Sequence, residues 1–296
     1  MSNKKTIFLT GGSGFIGKNI IELLGDKYSI FAQTHKELEL LDTLQVEQFF
    51  KSHEIDIVIH GAVKPGHRNA NDPSKQLDSN LRMFFNIARN SDKFKKMIFL
   101  SSGLVYSLDH YLPKMKEEYF GENIPTDESG FSKYITAKYI SACDKFVELR
   151  IFGVFGKYED YSIRFISNAI CKALFDLPIT IKQDRKFDYI YIDDLMPILD
   201  YFICNDSTHK AYNVTPDASI RLYELAEKVR RISGKNLPIT VAKEGMGVEY
   251  SGDNSRLKKE ISSLNFLHID KAIERLYNWY SENKSDINYD ALLTDK

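Results

Sequence analysis

The chain has 296 residues, 43% of them hydrophobic, and its 40 basic and 41 acidic side chains leave a formal net charge of −1. That mixed balance, without a basic stripe, speaks against a nucleic-acid partner, and no apolar run approaches the roughly 20 residues that a membrane span needs. Cys143, Cys171 and Cys204 are odd in number and lack metal spacing, so they read as reduced core residues; none of the seven histidines forms a pair at helical ligand spacing, and no metal site is expected.

In chain order, Met1–Lys5 leads at once into the apolar run Ile7-Phe8-Leu9, which leaves no room for a signal peptide and suggests a cytoplasmic protein. There follows Thr10-Gly11-Gly12-Ser13-Gly14-Phe15-Ile16-Gly17, which opens a helical pattern over Lys18–Leu24. Strand, glycines, helix is the context in which spaced glycines bind a dinucleotide. Gly11 permits a tight turn, Gly14 lets backbone N–H groups approach a pyrophosphate, and Gly17 lets the helix lie close on the strand. The positive end of the helix dipole and its unpaired N–H donors favour a phosphate there.

Apolar runs recur at Tyr28–Ala32, Ile55–Ile59 and Met97–Leu100, separated by the amphipathic stretches Leu44–Lys51 and Gln76–Asn90. A helix over Phe131–Ala142 then precedes a strand over Phe146–Phe152. This alternation predicts an α/β fold with a doubly wound parallel sheet. Beyond Phe152 the pattern changes, with helices over Ile163–Phe175, from Asp193, over Ser219–Ile232 and over Ile269–Tyr280, and short strands at Ile179–Ile181, Tyr189–Ile192 and Asn213-Val214. The long charged loop Asp109–Asp127 is a place where a substrate cleft could form.

These pieces, with Glu39–Asp42, His60-Gly61-Ala62, Ser101-Ser102 before Val105-Tyr106, Ser132-Lys133, Leu149–Phe152 and Tyr191–Leu195, resemble the extended short-chain dehydrogenase/reductases, the nucleotide-sugar epimerase, dehydratase and reductase family. Thr34–Asp42 and Gly61–Lys64 are most similar to its GDP-L-fucose synthase branch. The resemblance implies a Rossmann domain over residues 1–152 and 187–215, and a smaller lobe over 153–186 and 216–296 that grips a nucleotide-diphosphate sugar. It implies NAD(P) bound by Gly11, Gly14, Phe15, Ile16, Gly17, Leu41, Ala62, Val63, Lys64, Asn80, Lys133 and Phe152, with Asp42 at the adenine edge, and a homodimer. Asn80 could equally be a capping or core residue, and the apolar positions of Gln76–Asn90 and Ile135–Cys143 would suit a four-helix interface or a sheet-covering face. Where an NAD enzyme of this type carries an acidic residue after the second strand, this chain has Gln33-Thr34-His35-Lys36, with no carboxylate before Glu37. That favours NADP over NAD, with His35 and Lys36 facing the 2′-phosphate.

In the family, a tyrosine hydroxyl exchanges a proton with the sugar oxygen, a lysine four residues later lowers its pKa, and a serine on the preceding strand binds the same oxygen. Ser102 and Lys133 match the serine and the lysine, and the tyrosine position holds Ser129. Either a tyrosine was deliberately replaced, or the natural chain lost it, or the pair is Tyr134 and Lys138. The third account would turn the pair by a net 140° or so around a helix that advances about 100° per residue, which argues for Tyr134 as a packing residue. The cysteine and histidine with which GDP-L-fucose synthase epimerises its sugar correspond to Leu104 and Arg164, neither a ready acid or base. Arg164 then reads as a clamp on phosphate or hydroxyl, and Arg185 or Lys186 replaces the family's phosphate-binding arginine, whose place holds Phe187. The resulting expectation is NADP-dependent reduction of a 4-keto nucleotide sugar for a surface polysaccharide or another glycoconjugate. A C4 epimerase with bound NAD and a redox-silent nucleotide-sugar-binding homologue are its rivals.

Overall fold

A computed structural model describes residues 4–67, 69–70 and 72–293. The first half runs β1 (Thr6–Thr10), α1 (Phe15–Leu24), β2 (Ser29–Phe31), α2 (Thr43–Ser52), β3 (Ile57–His60), α3 (Gln76–Ala88), β4 (Lys96–Ser102), α4 (Glu128–Ser141) and β5 (Phe146–Ile151). The second runs β6 (Val154–Phe155), α5 (Phe165–Leu174), β7 (Ile179–Asp184), β8 (Lys186–Phe187), β9 (Ile190–Tyr191), α6 (Ile192–Cys204) and β10 (Ala211–Val214). It continues with β11 (Ile220–Arg221), α7 (Leu222–Ser233), β12 (Ile239–Met246), α8 (Ser255–Glu260) and α9 (Ile269–Glu282). Six of these strands form one sheet in the order β10-β5-β4-β3-β1-β2, and each neighbouring pair in it is parallel.

Side chains alternate across a strand, so a strand buried on both faces must be apolar throughout. Here Ile7, Leu9, Ile57, Ile59, Ile98 and Leu149 enter one cluster with α1 and α6. Their neighbours Phe8, Val58, Met97, Phe99 and Phe146 enter a second cluster with α2, α3 and α4. At about 1.5–3 kcal/mol for each large apolar side chain buried, the two faces supply the main drive for the helices to dock. Met83, Phe84, Ile87 and Ile140 are spent in that second cluster, so these apolar positions of α3 and α4 cover the sheet.

Outside the sheet, β7 pairs with β12, β8 with β11 and β6 with β9, and α5 packs on α7 and α9. The first cluster extends without a break into α5, α7 and α9, so the later segments share the core of the sheet. Two expectations need correction. Cys204 is exposed and Cys143 only half-buried, so Cys171 alone among the three is a core residue, although all are free thiols. The Asp109–Asp127 loop is partly core: Tyr111 and Met115 are buried, and the buried Glu117 carboxylate accepts a hydrogen bond from Asn213 N at 2.8 Å.

Candidate active site

β1 is flanked by β2 on one side and β3 on the other, so their connections leave in opposite directions and open a crevice at the carboxyl ends. A cavity of about 450 Å³ lies there. Thr10 closes its floor: its hydroxyl hydrogen-bonds His60 Nδ1 at 2.7 Å and accepts from the N–H groups of Gly61 (3.2 Å) and Ala62 (3.1 Å). One hydroxyl thus ties the end of β1 to the end of β3. Burial, aided by the charge of Lys133, pulls the His60 imidazole down to about 3, so it is neutral.

The glycines are there for space. Gly11 has φ of +75°, and a Cβ on it would fall 2.9 Å from the Gly61 and Ala62 backbone. A Cβ on Gly17 would lie 2.2 Å from the Gly11 carbonyl oxygen, whereas one on Gly14 would meet nothing nearer than 3.3 Å. α1 starts at a Gly14 N-cap that offers no side-chain acceptor, with no acidic residue in the first turn. Unpaired N–H groups at the positive end of a dipole, beside a cavity of this size, fit the adenosine and pyrophosphate of a dinucleotide.

Gly11, Gly14, His35, Leu41, Ala62, Val63 and Lys64 line the cavity, as do Ser13, Thr34, Glu39 and Pro65, which motif spacing alone does not single out. Phe15, Ile16 and Gly17 lie in α1 behind it. Asn80 accepts from Lys64 N at 2.7 Å, and its own amide nitrogen is buried without a partner. The Lys64 amino group is held by Asp72 at 2.6 Å.

Two residues stand elsewhere than expected. Lys36 is exposed and off the cavity wall. Asp42 does not line the cavity either: its carboxylate caps α2, accepting from Leu44 N (2.9 Å), Gln45 N (3.1 Å) and Gln45 Nε2 (3.0 Å). The Glu37 carboxylate, by contrast, folds back onto Thr34, accepting from its N–H and its hydroxyl, each at 2.8 Å.

Farther along the sheet edge, Ser102 ends β4, and its hydroxyl accepts from Leu104 N at 3.3 Å within the short turn Gly103–Val105. α4 is pressed against that turn. A Cβ on Gly130 would lie 2.8 Å from the Leu104 carbonyl oxygen and 2.7 Å from Asp127, whose carboxylate caps the helix through Gly130 N at 2.8 Å. Ser129 and Lys133, one helical turn apart, therefore share a face of the element docked beside Ser102. Burial lowers the Lys133 pKa, opposed by the carboxylates of Glu148 and Asp127. Tyr134 packs its ring on Phe120, 5.2 Å between centroids, beneath the Lys138 amino group.

A residue that sequence reasoning missed completes this corner. The Tyr250 hydroxyl lies against Gly103, the residue after Ser102: a Cβ on Gly103 would fall 2.6 Å from it. Its ring lies against Phe152 (5.2 Å), Tyr111 (5.1 Å) and Phe187 (4.8 Å). Arg164 is exposed at the start of α5 and Arg185 is half-buried between β7 and β8; burial raises the Tyr189 pKa, and the charges of both arginines oppose that rise. Lys186 is exposed. Among the described residues no group of three or more His, Cys, Asp or Glu side chains could hold a metal, and no helix is long and apolar enough to cross a membrane.

Residues 7–215 match the model of the NAD dependent epimerase/dehydratase family. A GDP-L-colitose synthase of Yersinia pseudotuberculosis is 26% identical over 222 residues, 67% of this chain and 72% of that protein. A UDP-glucose 4-epimerase of Bacillus subtilis is 23% identical over 330 residues, 94% of this chain and 97% of that one. Among solved structures, the GDP-mannoheptose C4 reductase of Campylobacter jejuni with NADP bound superposes with a TM-score of 0.82 at 19% identity, covering 95% of this chain and 99% of its own.

Proposed function

Since the chain belongs to the NAD-dependent epimerase/dehydratase family, we propose that it is an NADP-dependent reductase of a 4-keto nucleotide-diphosphate sugar. The observation that carries this reading is the placement of Ser102 and Lys133 on elements docked together beside the glycine-walled cavity. Gly11, Gly14, Ala62, Val63 and Leu41 would hold the adenosine and pyrophosphate, and Phe152 would wall the far end. When bound, the nicotinamide supplies the hydride. The chain's own residues do the rest: the Ser102 hydroxyl orients the sugar oxygen, and the Lys133 cation stabilises negative charge developing near it.

Arg164 and Arg185, whose charges both reach Tyr189, would clamp the diphosphate from the segment 153–186. His35 on the cavity wall favours NADP, whereas Lys36 is exposed and off that wall. Leu104, apolar and packed in the turn after Ser102, leaves the site without the acid–base pair that a double epimerisation needs. Phe85 and Tyr139, whose rings meet at 5.2 Å across α3 and α4, mark the face for a homodimer contact.

A panel of 4-keto GDP-, UDP- and dTDP-sugars tests the reading. One NADPH consumed for each sugar reduced is expected. Inversion at C4 of the corresponding 4-hydroxy sugar nucleotides, without net NADPH consumption, would instead establish an epimerase that keeps its NAD, and binding without turnover a redox-silent homologue.

A further inference from the structure

We infer that Tyr250 is the proton donor of this site, standing in from the C-terminal part of the chain for the phenol that position 129 lacks. The inference rests on the reductase reading above, and it starts from where the Tyr250 hydroxyl is. That hydroxyl lies against the backbone of the short turn that Ser102 begins. A Cβ on Gly103 would fall 2.6 Å from the Tyr250 oxygen and 2.9 Å from Phe152, so residue 103 has room for glycine alone. Gly103 directly follows Ser102, so the Tyr250 hydroxyl stands beside the residue that would bind the carbonyl oxygen of the sugar.

Ser129 cannot take this part. Its hydroxyl sits close to the α4 backbone, is far less acidic than a phenol, whose pKa is about 10, and reaches several bonds less far.

The Tyr250 ring is held as a catalytic group must be. Tyr250 N donates to the Lys186 carbonyl at 3.0 Å, and Asp188 N donates to the Tyr250 carbonyl at 3.1 Å. The buried Asp188 carboxylate accepts from Gly252 N at 2.9 Å and from the Thr215 hydroxyl, which fixes the strand end beyond the ring. Ser251 is pinned by Lys114 N at 2.8 Å and by Met115 N at 3.0 Å. With Phe152, Tyr111 and Phe187 around it, the ring keeps one orientation, and its hydroxyl needs no rearrangement to act.

The groups facing it are the hydroxyls of Tyr106 and Ser102, the Gly103 backbone and the Asp188 carboxyl. Burial raises the Tyr250 pKa, so the phenol keeps its proton at neutral pH. In the step, a carbon–hydrogen bond forms at sugar C4 with hydride from reduced nicotinamide, and the C=O π pair moves onto oxygen. The Tyr250 O–H bond breaks as the new O–H bond forms on the C4 oxygen. The phenolate left on Tyr250 recovers a proton from water after product leaves.

Tyr250→Phe keeps the ring and its packing and removes only the hydroxyl. It is expected to lower kcat on a 4-keto-6-deoxy GDP-hexose by about 10²-fold or more, the usual weight of a general acid, with KM and melting temperature close to wild type. Ser129→Tyr placed in that background is expected to restore most of the loss. A second readout needs no turnover. In protein labelled with [13Cζ]tyrosine and free of cofactor, the resonance missing from Tyr250→Phe should move when GDP-mannose, UDP-glucose or dTDP-glucose is added, whichever of them binds.

A kcat within threefold of wild type, or a resonance that stays put while a sugar nucleotide binds, would overturn the assignment and leave the reductase reading standing. A Tyr250→Phe variant that turns over faster would overturn it too, by showing that the side chain obstructs the site. Wild-type protein inactive on the whole 4-keto panel would bring down the reductase reading, and this assignment with it.

Discussion

The dinucleotide cradle and the corner around Ser102 lie at one edge of the same sheet, yet they are built in opposite ways. The cradle is local: Thr10 to Gly17 are consecutive, and the end of β3 that completes it is paired with β1 and tied to it by the Thr10 hydroxyl. Its geometry is enforced by backbone crowding that glycine alone tolerates. The corner is assembled from β4, the turn after it, α4 and the segment around Tyr250, which have in common only their meeting point. A local cradle tolerates little substitution because its glycines are crowded by neighbouring backbone. A corner assembled from distant segments can lose a group from one element and draw its replacement from another.

The comparison breaks most visibly at Gly17. Gly17→Val would put a side chain where the Gly11 carbonyl lies, 2.2 Å from the Cβ position, and should weaken dinucleotide binding at least about 100-fold, roughly 2.7 kcal/mol. Calorimetric titration checks it; binding within fivefold of wild type would mean that the cradle adapts. At the corner, Lys133→Met should cost on the order of 10²–10⁴ in kcat while the fold persists. A single-turnover assay reads that loss, and an unchanged rate would remove Lys133 from the chemistry.

A smaller effect sharpens the cradle alone. With His35 on the wall and Lys36 off it, NADPH should bind about tenfold more tightly than NADH, and His35→Ala should erase most of the difference. Equal affinities in the wild type would show that the Thr34–Glu37 pairing already fills the place of a 2′-phosphate.

The smallest effect is in stability, and it has opposite signs in the two regions. His60 in the cradle has its pKa lowered from 6.5 to about 3. Its stabilising share is present above the unfolded value and is lost as pH falls from 6.5 toward 3, because the unfolded chain takes up the proton first. Asp188 at the corner is raised, mainly by burial, from 3.8 to about 6. Its share is present below 3.8 and is lost as pH rises through 6, because the unfolded chain releases the proton first. Urea unfolding across pH 4–7 should therefore steepen on the acid side in Asp188→Asn and flatten there in His60→Gln. The same change in both variants would contradict the assignment.

These contrasts also decide what the sequence made legible. The parallel sheet, the glycine turn and the α2, α3 and α6 helices could be read from apolar runs and their spacing, because local pattern and burial agree in them. The two-residue strands β6, β8 and β11 carry too little periodicity to be read, and β12 is exposed along nearly its whole length. Asp42 looked like a ligand because it stands where the family places one, but an aspartate before a helix is also the best of caps, and the helix claims it here. The gap at Ser129 was plain in the sequence. Tyr250 was not, since nothing in Val248–Gly252 announces that its ring will meet Ser102.

The transfer itself can be followed atom by atom. With NADPH carrying deuterium at the transferable C4 position and a 4-keto sugar nucleotide that binds, mass spectrometry of the product reports whether the label has moved. One deuterium on the sugar for each NADPH oxidised is the predicted result; a product free of label, with the cofactor still deuterated, would contradict the account.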